Sequence, residues 1–372
     1  MTDIQENNGT LKKDNINSEL ACTGCGAILV YKPGTQTLTC NYCGAANTIA
    51  DSGQMVGEID YEKFIREHQH REEKIDVVSL QCSACGAAVT LAANVTADRC
   101  PYCAANIVVK SGTTHTILKP QSLIPFEIEK KKAIALFKSW ISQLWFAPSD
   151  LKRADVVSDR LNGIYIPYWT YDAVTHTAYT GERGTHYYVT ETYTTEENGQ
   201  TVTRTRQVQR THWTHTSGRV HHSFDDILVI ATDSLPRKYT EKLEPWNLSK
   251  LVCYNDKYLS GFRAETYRID LTTGLDDAKL KMEPVIHDAV REDIGGDEQR
   301  IHTMDTAYAN LTFKHILLPI WISSYRFQDK VYRFLVNGQT GEVQGERPFS
   351  VLKIVLTVLA VIAAIVMILL IL

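Results

Sequence analysis

The sequence predicts three kinds of folding unit in one chain: two small β ribbons, an α+β domain of two related strand–helix–strand lobes with a long β-hairpin insertion, and one C-terminal transmembrane helix. Three observations predict it. Eight cysteines form four CxxC pairs in two matching blocks, Cys22/Cys25 with Cys40/Cys43 and Cys82/Cys85 with Cys100/Cys103. Residues 354–372 run for nineteen positions without a charge. Between these ends, two stretches with the same order of strand, helix and strand finish on Ile166-Pro-Tyr-Trp and Leu318-Pro-Ile-Trp.

The ribbons come first. Fourteen residues separate the inner cysteines within each block, and the second block repeats the first sixty positions later. The flanks repeat too, Leu20-Ala-Cys-Thr-Gly-Cys-Gly-Ala against Leu80-Gln-Cys-Ser-Ala-Cys-Gly-Ala. A CxxC turn aims two thiolates at one point, and a second such knuckle, brought up by a hairpin, completes a tetrahedron. Gly26, Gly44 and Gly86 follow their cysteines, where the turn needs a backbone that only glycine adopts freely. The expectation is two zinc ions, one held by Cys22, Cys25, Cys40 and Cys43 and one by Cys82, Cys85, Cys100 and Cys103. Rubredoxin-like iron is the alternative metal, since thiolate tetrads also suit iron. Disulfides need an oxidising compartment, and redox pairs do not come as doubled, evenly spaced sets. Each block, 20–50 and 80–110, is too short to bury a self-sufficient core, so metal binding supplies on the order of 10 kcal/mol of folding energy per site. Four protein ligands leave no open position, which makes the sites structural.

The chain has 372 residues, 44% hydrophobic, with a formal net charge of −4, which is not the balance of a typical nucleic-acid binder. Residues 1–19 are polar and expected to be disordered, and they contain no apolar signal segment. At the other end, 349–372 is read as a tail anchor whose uncharged run, as a helix, is roughly 28 Å long, about the hydrocarbon thickness. Arg347 and Lys353 flank it. With no leader at the front, the expectation is a single-pass cell-membrane protein with its amino-terminal bulk in the cytoplasm, where thiols stay reduced and free for metal.

Between the ribbons, 51–79 is expected to be a linker with a solvated helix over 58–75, on which His68 and His70 are surface residues. The α+β domain is assigned to 111–348. A helix is expected over 129–145, where Ala133, Ile134, Phe137, Trp140, Ile141 and Leu144 follow helical spacing. A second is expected over 275–294, capped by Asp276-Asp277 and ended by Gly295-Gly296. Strands are expected at 307–313, 316–325 and 330–336. The two lobes are expected to pack sheet to sheet, with Pro167 and Pro319 at strand edges or bulges. Residues 187–213 read as a hairpin turning at Glu197-Asn198-Gly199. Its return strand and extension carry Arg204, Arg206, Arg210 and Arg219, interleaved with His212, Trp213, His215, His221 and His222 and with no acid from 201 to 222. This basic arm is a candidate for contact with anionic lipid or nucleic acid, for a histidine metal site, or for a solvated hairpin alone.

No catalytic constellation emerges. There is no GxxxxGK[ST] loop, no G-x-S-x-G elbow and no HExxH. Asp225-Asp226 are sequence neighbours that point apart on a strand, and Cys253 lacks an evident base. The expectation is a protein that is not an enzyme.

The doubled CxxC blocks, with Ile166-Pro-Tyr-Trp-Thr-Tyr-Asp-Ala, Tyr258-Leu-Ser-Gly-Phe-Arg-Ala-Glu, Thr312-Phe-Lys-His-Ile-Leu-Leu-Pro-Ile-Trp and Val336-Asn-Gly-Gln-Thr-Gly-Glu-Val-Gln-Gly-Glu-Arg-Pro, resemble bacterial membrane-anchored zinc-ribbon proteins. Such proteins are often named as TFIIB-type zinc-ribbon proteins or likened to the primosomal helicase. The resemblance implies recruitment of membrane-stress partners of the phage-shock and flotillin kind. It does not extend to helicase chemistry, because nothing here holds a nucleotide. The sequence-level expectation is therefore a membrane-tethered scaffold whose ribbons dock protein partners through Tyr31, Tyr42, Tyr102 and Val89. A nucleic-acid-binding protein at the membrane is the alternative. Lys32 is the only charge in 20–50, and nearly neutral ribbons cannot neutralise several phosphates.

Overall fold

A computed structural model describes residues 20–50, 53, 56–68, 74–82, 87–90, 97–100, 102, 105–108, 113–146, 161–197, 200–327 and 330–371. Residues 1–19, His70, Cys85, Gly86, Cys103 and the Asn198-Gly199 turn lie outside them. The described chain is a sheet-rich body with a cysteine cluster near its amino terminus and one apolar helix at its C-terminal end.

The first ribbon is a three-stranded antiparallel sheet of β1 (Val30–Tyr31), β2 (Thr37–Thr39) and β3 (Ala46–Thr48). The linker that follows is not a free helix over 58–75. It contains β4 (Ile59–Asp60) and one short helix, α1 (Tyr61–His68), and both are docked on the body. Tyr61 and Phe64 place their rings 6.3 and 5.0 Å from Phe313, so the helix is packed on the body instead of solvated all round. The chain then enters β5 (Lys74–Gln81), which pairs with β6 (Ala88–Thr90) and with β9 (Thr113–Leu118). Between them, β7 (Ala97–Arg99) and β8 (Asn106–Val108) form a separate hairpin.

The body repeats one unit twice. The first copy is β10 (Ser122–Leu123), α2 (Lys130–Gln143), β11 (Asn162–Glu197) and β12 (Gln200–Ile230). After the single turn α3 (Arg237–Thr240) and β13 (Val252–Cys253), the second copy is β14 (Arg263–Ala264), α4 (Leu271–Ile294), β15 (Glu298–Phe327) and β16 (Lys330–Asn337). The chain closes with β17 (Val343–Gly345) and α5 (Val351–Ile371). The two copies are not stacked sheet to sheet. They join edge to edge, β11 antiparallel to β15, inside one nine-stranded sheet.

The register places a pseudo-twofold axis at the pair Ile166↔Leu318. On the outer side of β11, Ile164 and Tyr165 pair with β14, and from Tyr168 onward the neighbour is β12. On the outer side of β15, Ile316 and Leu317 pair with β10, and from Ile320 onward the neighbour is β16. Each copy's short strand thus lies beside the other copy's long one. Pro167 and Pro319 sit inside these central strands, not at edges or bulges, and each falls where one outer neighbour ends and the next begins. Their carbonyls accept from Ala231 and Gly338 at 2.9 and 2.8 Å, so the missing N–H groups face the same gap, where no ladder bond is required.

Side chains alternate across this sheet with period two. Tyr165, Trp169, Tyr171, Phe313, Leu317 and Trp321 point to a face covered by α2, α4 and the first ribbon. Ile164, Ile166, Tyr168, Ile316, Leu318 and Ile320 point to the other, covered by Tyr102 of the second cysteine block and by Leu235 and Leu243.

The hairpin is far longer than 187–213. The β11–β12 ladder runs from Tyr168↔Ile230 to Glu197↔Gln200, and β15 joins it as a third strand as far as Gly184↔Glu298. At about 3.3 Å per residue, β11 alone amounts to roughly 115 Å of strand. α4 braces the near part of this arm by packing Val290 and Ile294 against Tyr179, Val220, Ile301 and Met304. Its N-cap is Asp270, which accepts from the Thr273 amide at 2.7 Å, and Asp276 and Asp277 lie one turn inside the helix instead of capping it.

Candidate metal centre and its surroundings

In the first ribbon, Cys22, Cys25, Cys40 and Cys43 bring their sulfurs within 4.8 Å of one another. Cys22 and Cys43 approach to 3.5 Å, as do Cys25 and Cys40. Sulfurs bound at about 2.3 Å to one tetrahedral zinc are about 3.8 Å apart, so the cluster fits such an ion with small adjustments. Two equivalent turns set it up. The Cys22 amide donates to Ala27 O at 2.7 Å and the Gly26 amide to Cys22 O at 2.8 Å; Cys40 with Ala45, and Gly44 with Cys40, repeat these bonds at 2.8 and 3.0 Å. Gly26 and Gly44 have φ of 73° and 74°, in the left-handed region where a side chain is strained.

The electrostatics ask for a cation. Amides of Cys43 and Tyr42 aimed at Cys40 push its thiol down to about 6, and the Gly24 and Cys25 amides lower Cys22 likewise. Cys25 receives an amide from Ala27, yet the neighbouring thiols, led by Cys40, push it up to about 12. Four sulfurs so close cannot all ionise on their own, and a doubly charged ion removes the conflict. None of the described cysteines is in a disulfide. Cys22 and Cys40 are buried, whereas Cys25 and Cys43 reach the surface beside Ile28 and Tyr42, which are 67% and 86% exposed.

In the second block, Cys82 and Cys100 are buried. Their amides donate to Ala87 O and Ala105 O, each at 2.8 Å, the same closing bonds as in the first ribbon. Their predicted co-ligands Cys85 and Cys103 lie outside the described residues.

The first ribbon and the second cysteine block are both fastened to the body, which corrects the partner-facing roles given to Tyr31 and Tyr102. The Tyr31 hydroxyl donates to Thr35 O at 2.8 Å and Phe126 O at 3.2 Å, and its amide donates to Ser260 O at 3.0 Å. Tyr102 is completely buried and donates to Glu265, while Arg333 Nε donates to Tyr102 O at 3.1 Å. Burial pushes the Glu265 carboxyl up to about 7, against the opposing effect of bonds from Ser234, Thr232 and Tyr102.

The arm cations are partly spent. Arg206 and Arg210 donate to Glu191 of the facing strand at 3.2 and 2.7 Å. The reading along one strand missed that acid because it lies across the ladder, opposite Arg206. Arg204 and Arg219 are exposed. Lower on the sheet, Glu58, Asp172 and Asp225 converge within 4.8 Å. Here Lys314 pairs with Asp226 at 2.7 Å and with Glu58 at 3.3 Å, so a cation already stands beside this group. Burial and the Glu58 bond push Asp172 up to about 6.

Among the described residues one helix, within Val351–Leu370, is long and apolar enough to cross a membrane, and none of that window is buried against the body. Exposed aromatics gather at its start. Trp145 and Phe349 are 71% and 56% exposed, and the Ser350 amide donates to Phe146 O at 2.8 Å.

No family model matches the chain, and no solved structure matches it. Over 239 residues, 63% of the chain, it is 27% identical to a Bacillus subtilis (strain 168) protein described as "Uncharacterized protein YdjG". The match spans 65% of that protein's length.

Proposed function

We propose that the chain is a non-enzymatic, zinc-binding scaffold, held at the cytosolic face of the cell membrane by α5, that recruits protein partners in a membrane-stress response. The observation that carries this reading is the outward knuckle tip of the first ribbon. Four sulfurs close on one point with no position left for a substrate, and Tyr42 and Ile28 stand exposed beside them. A tyrosine offers large contact area at little entropic cost, as hot-spot residues do. The repeated closing bonds at Cys82 and Cys100 support a second zinc completed by Cys85 and Cys103. Trp145, Phe146 and Phe349 suit the headgroup level, and Arg347 and Lys353 favour the cytosolic side.

Crosslinking with mass spectrometry in native membranes tests this. Crosslinks from the first ribbon to membrane-associated proteins are expected, and they should be lost in Tyr42→Ala. Crosslinks to the body alone, or unchanged by Tyr42→Ala, refute the docking role. Retention on DNA or RNA with a steep salt slope, flattened by Arg204→Ala and Arg219→Ala, would instead select the nucleic-acid reading.

A further inference from the structure

We infer that the arm carries a second kind of metal site, a His₂-carboxylate site for a first-row divalent ion such as Zn²⁺, built by Glu182, His215 and His302. The inference is independent of the scaffold reading and of the cysteines. The three residues come from three different strands, β11, β12 and β15, and meet side by side on the arm. Each can offer a ligand atom, and these atoms lie within 4.8 Å of one another.

The ladder explains the convergence. Glu182 is the direct register partner of His215 on one side and of Arg300 on the other. One step along, the β11–β15 register shifts: Gly181 pairs with Ile301, Thr180 with Thr303, and His302 is the extra residue between them. Such irregularities re-aim side chains. Here the shift brings His302 Nε2 to 3.7 Å from Glu182 Oε2, while His215 Nε2 lies 3.9 Å from Oε1. Two ligand atoms that share an ion at about 2.1 Å are about 3.4 Å apart in a tetrahedron and at most about 4.2 Å apart. The two carboxylate–imidazole spacings fall within that range and the third pair of ligand atoms lies within 4.8 Å, so small side-chain movements close the three on an ion. His215 and His302 are exposed enough to make those movements, with side-chain accessibilities of 86% and 47%, while Glu182 is held at 19%.

Two imidazoles and a carboxylate suit zinc, nickel or copper better than calcium or magnesium. Three protein ligands leave a fourth position open, unlike the closed cysteine cluster. One cation competes for the site. Arg300 Nη1 lies 3.6 Å from Glu182 Oε2, but its guanidinium also rests 3.7 Å from the centre of the Trp213 ring. That ring gives Arg300 a place to stay when an ion takes the carboxylate. The other histidine pair on the arm, His176 and His221, with Nδ1 atoms 2.6 Å apart, is several residues nearer the body and has no carboxylate at hand among the described groups.

The test is zinc titration against a chromophoric chelator, on the full chain in detergent with its cysteine sites already loaded. One further equivalent is expected. His215→Ala, His302→Ala and Glu182→Gln should each weaken it at least about tenfold, since even outer-shell losses cost that much. Arg300→Gln should tighten it a few-fold by removing the competitor, an effect that a merely structural role for these residues would not produce. No additional equivalent, or one that survives His215→Ala, overturns the inference, as does one lost only in His176→Ala. Should a variant fail to fold, Cu²⁺ electron paramagnetic resonance on the unaltered chain still decides. Two nitrogen couplings are expected, and their absence refutes the site.

Discussion

Trp169 and Trp321 occupy equivalent places in the two copies of the body unit. Trp321 Nε1 donates to Ile128 O at 2.8 Å, two residues before α2 begins, and Trp169 Nε1 donates to Ile269 O at 2.9 Å, two residues before α4 begins. Each indole closes the strand–helix junction of the other copy. The copies then diverge away from the axis. The first extends its hairpin, β11 and β12, whereas the second lengthens its helix to 24 residues and starts its long strand early at Glu298. Because β11 and β15 are antiparallel, both extensions build the same arm. Near the axis β11 and β15 pair with each other and with the other copy's short strand, β14 or β10, so the two copies hold each other together there. Beyond Gly184 the arm is β11 and β12 of the first copy alone.

The largest expected effect tests the equivalence itself. Trp169→Ala and Trp321→Ala should each cost about 3–5 kcal/mol, as large buried aromatics do, and by similar amounts. Unfolding midpoints of the two variants in detergent check this, and a large inequality would mean that the two junctions are not equivalent.

Next comes a feature with no twin, the Tyr102–Glu265 contact just after β14. Glu265 is raised from 4.5 to about 7 by burial, so its native state favours the protonated carboxyl. A raised acid stabilises fully below its unfolded value and loses that contribution as pH rises through the folded one. Stability of the docked second cysteine block should therefore fall by about 3 kcal/mol between pH 4.5 and 7. Glu265→Gln should flatten the profile, which thermal melts at stepped pH would read. Smaller still, Pro167→Ala and Pro319→Ala should each shift stability by less than about 1 kcal/mol, because neither site has a ladder bond to gain. Smallest of all, Arg210→Ala at the free end of the arm should leave the melting midpoint unchanged, since its bond to Glu191 is fully solvated.

The same contrast between centre and periphery explains what could be read from sequence. The cysteine cluster was legible because knuckle spacing is local, and α5 because nineteen uncharged residues need no context. The start of α4 was not, since Thr272, Thr273 and Gly274 look like helix breakers. Yet a Cβ at Gly274 would stand 2.6 Å from the Tyr171 hydroxyl and 2.8 Å from Trp169 Cδ1, so packing requires glycine there. β15 read as separate strands because Asn310, at φ 51°, and the buried pair Lys314 and His315 interrupt its apolar alternation. Burial pushes His315 down to about 4, leaving it neutral, with its Nδ1 3.1 Å from Leu118 O. The arm was underestimated because a 36-residue strand lies far outside ordinary strand lengths. Glu182, His215 and His302 could not be grouped from one dimension at all, because only the three-strand register brings them together.

The metal content of purified full-length chain, compared with a Cys22→Ser, Cys40→Ser double variant, tests the cysteine-clamped first ribbon most directly. Elemental analysis should find one metal equivalent fewer in the variant, together with new protease cleavage within 20–50. Equal metal content in the two proteins, with the ribbon still protected, would contradict it.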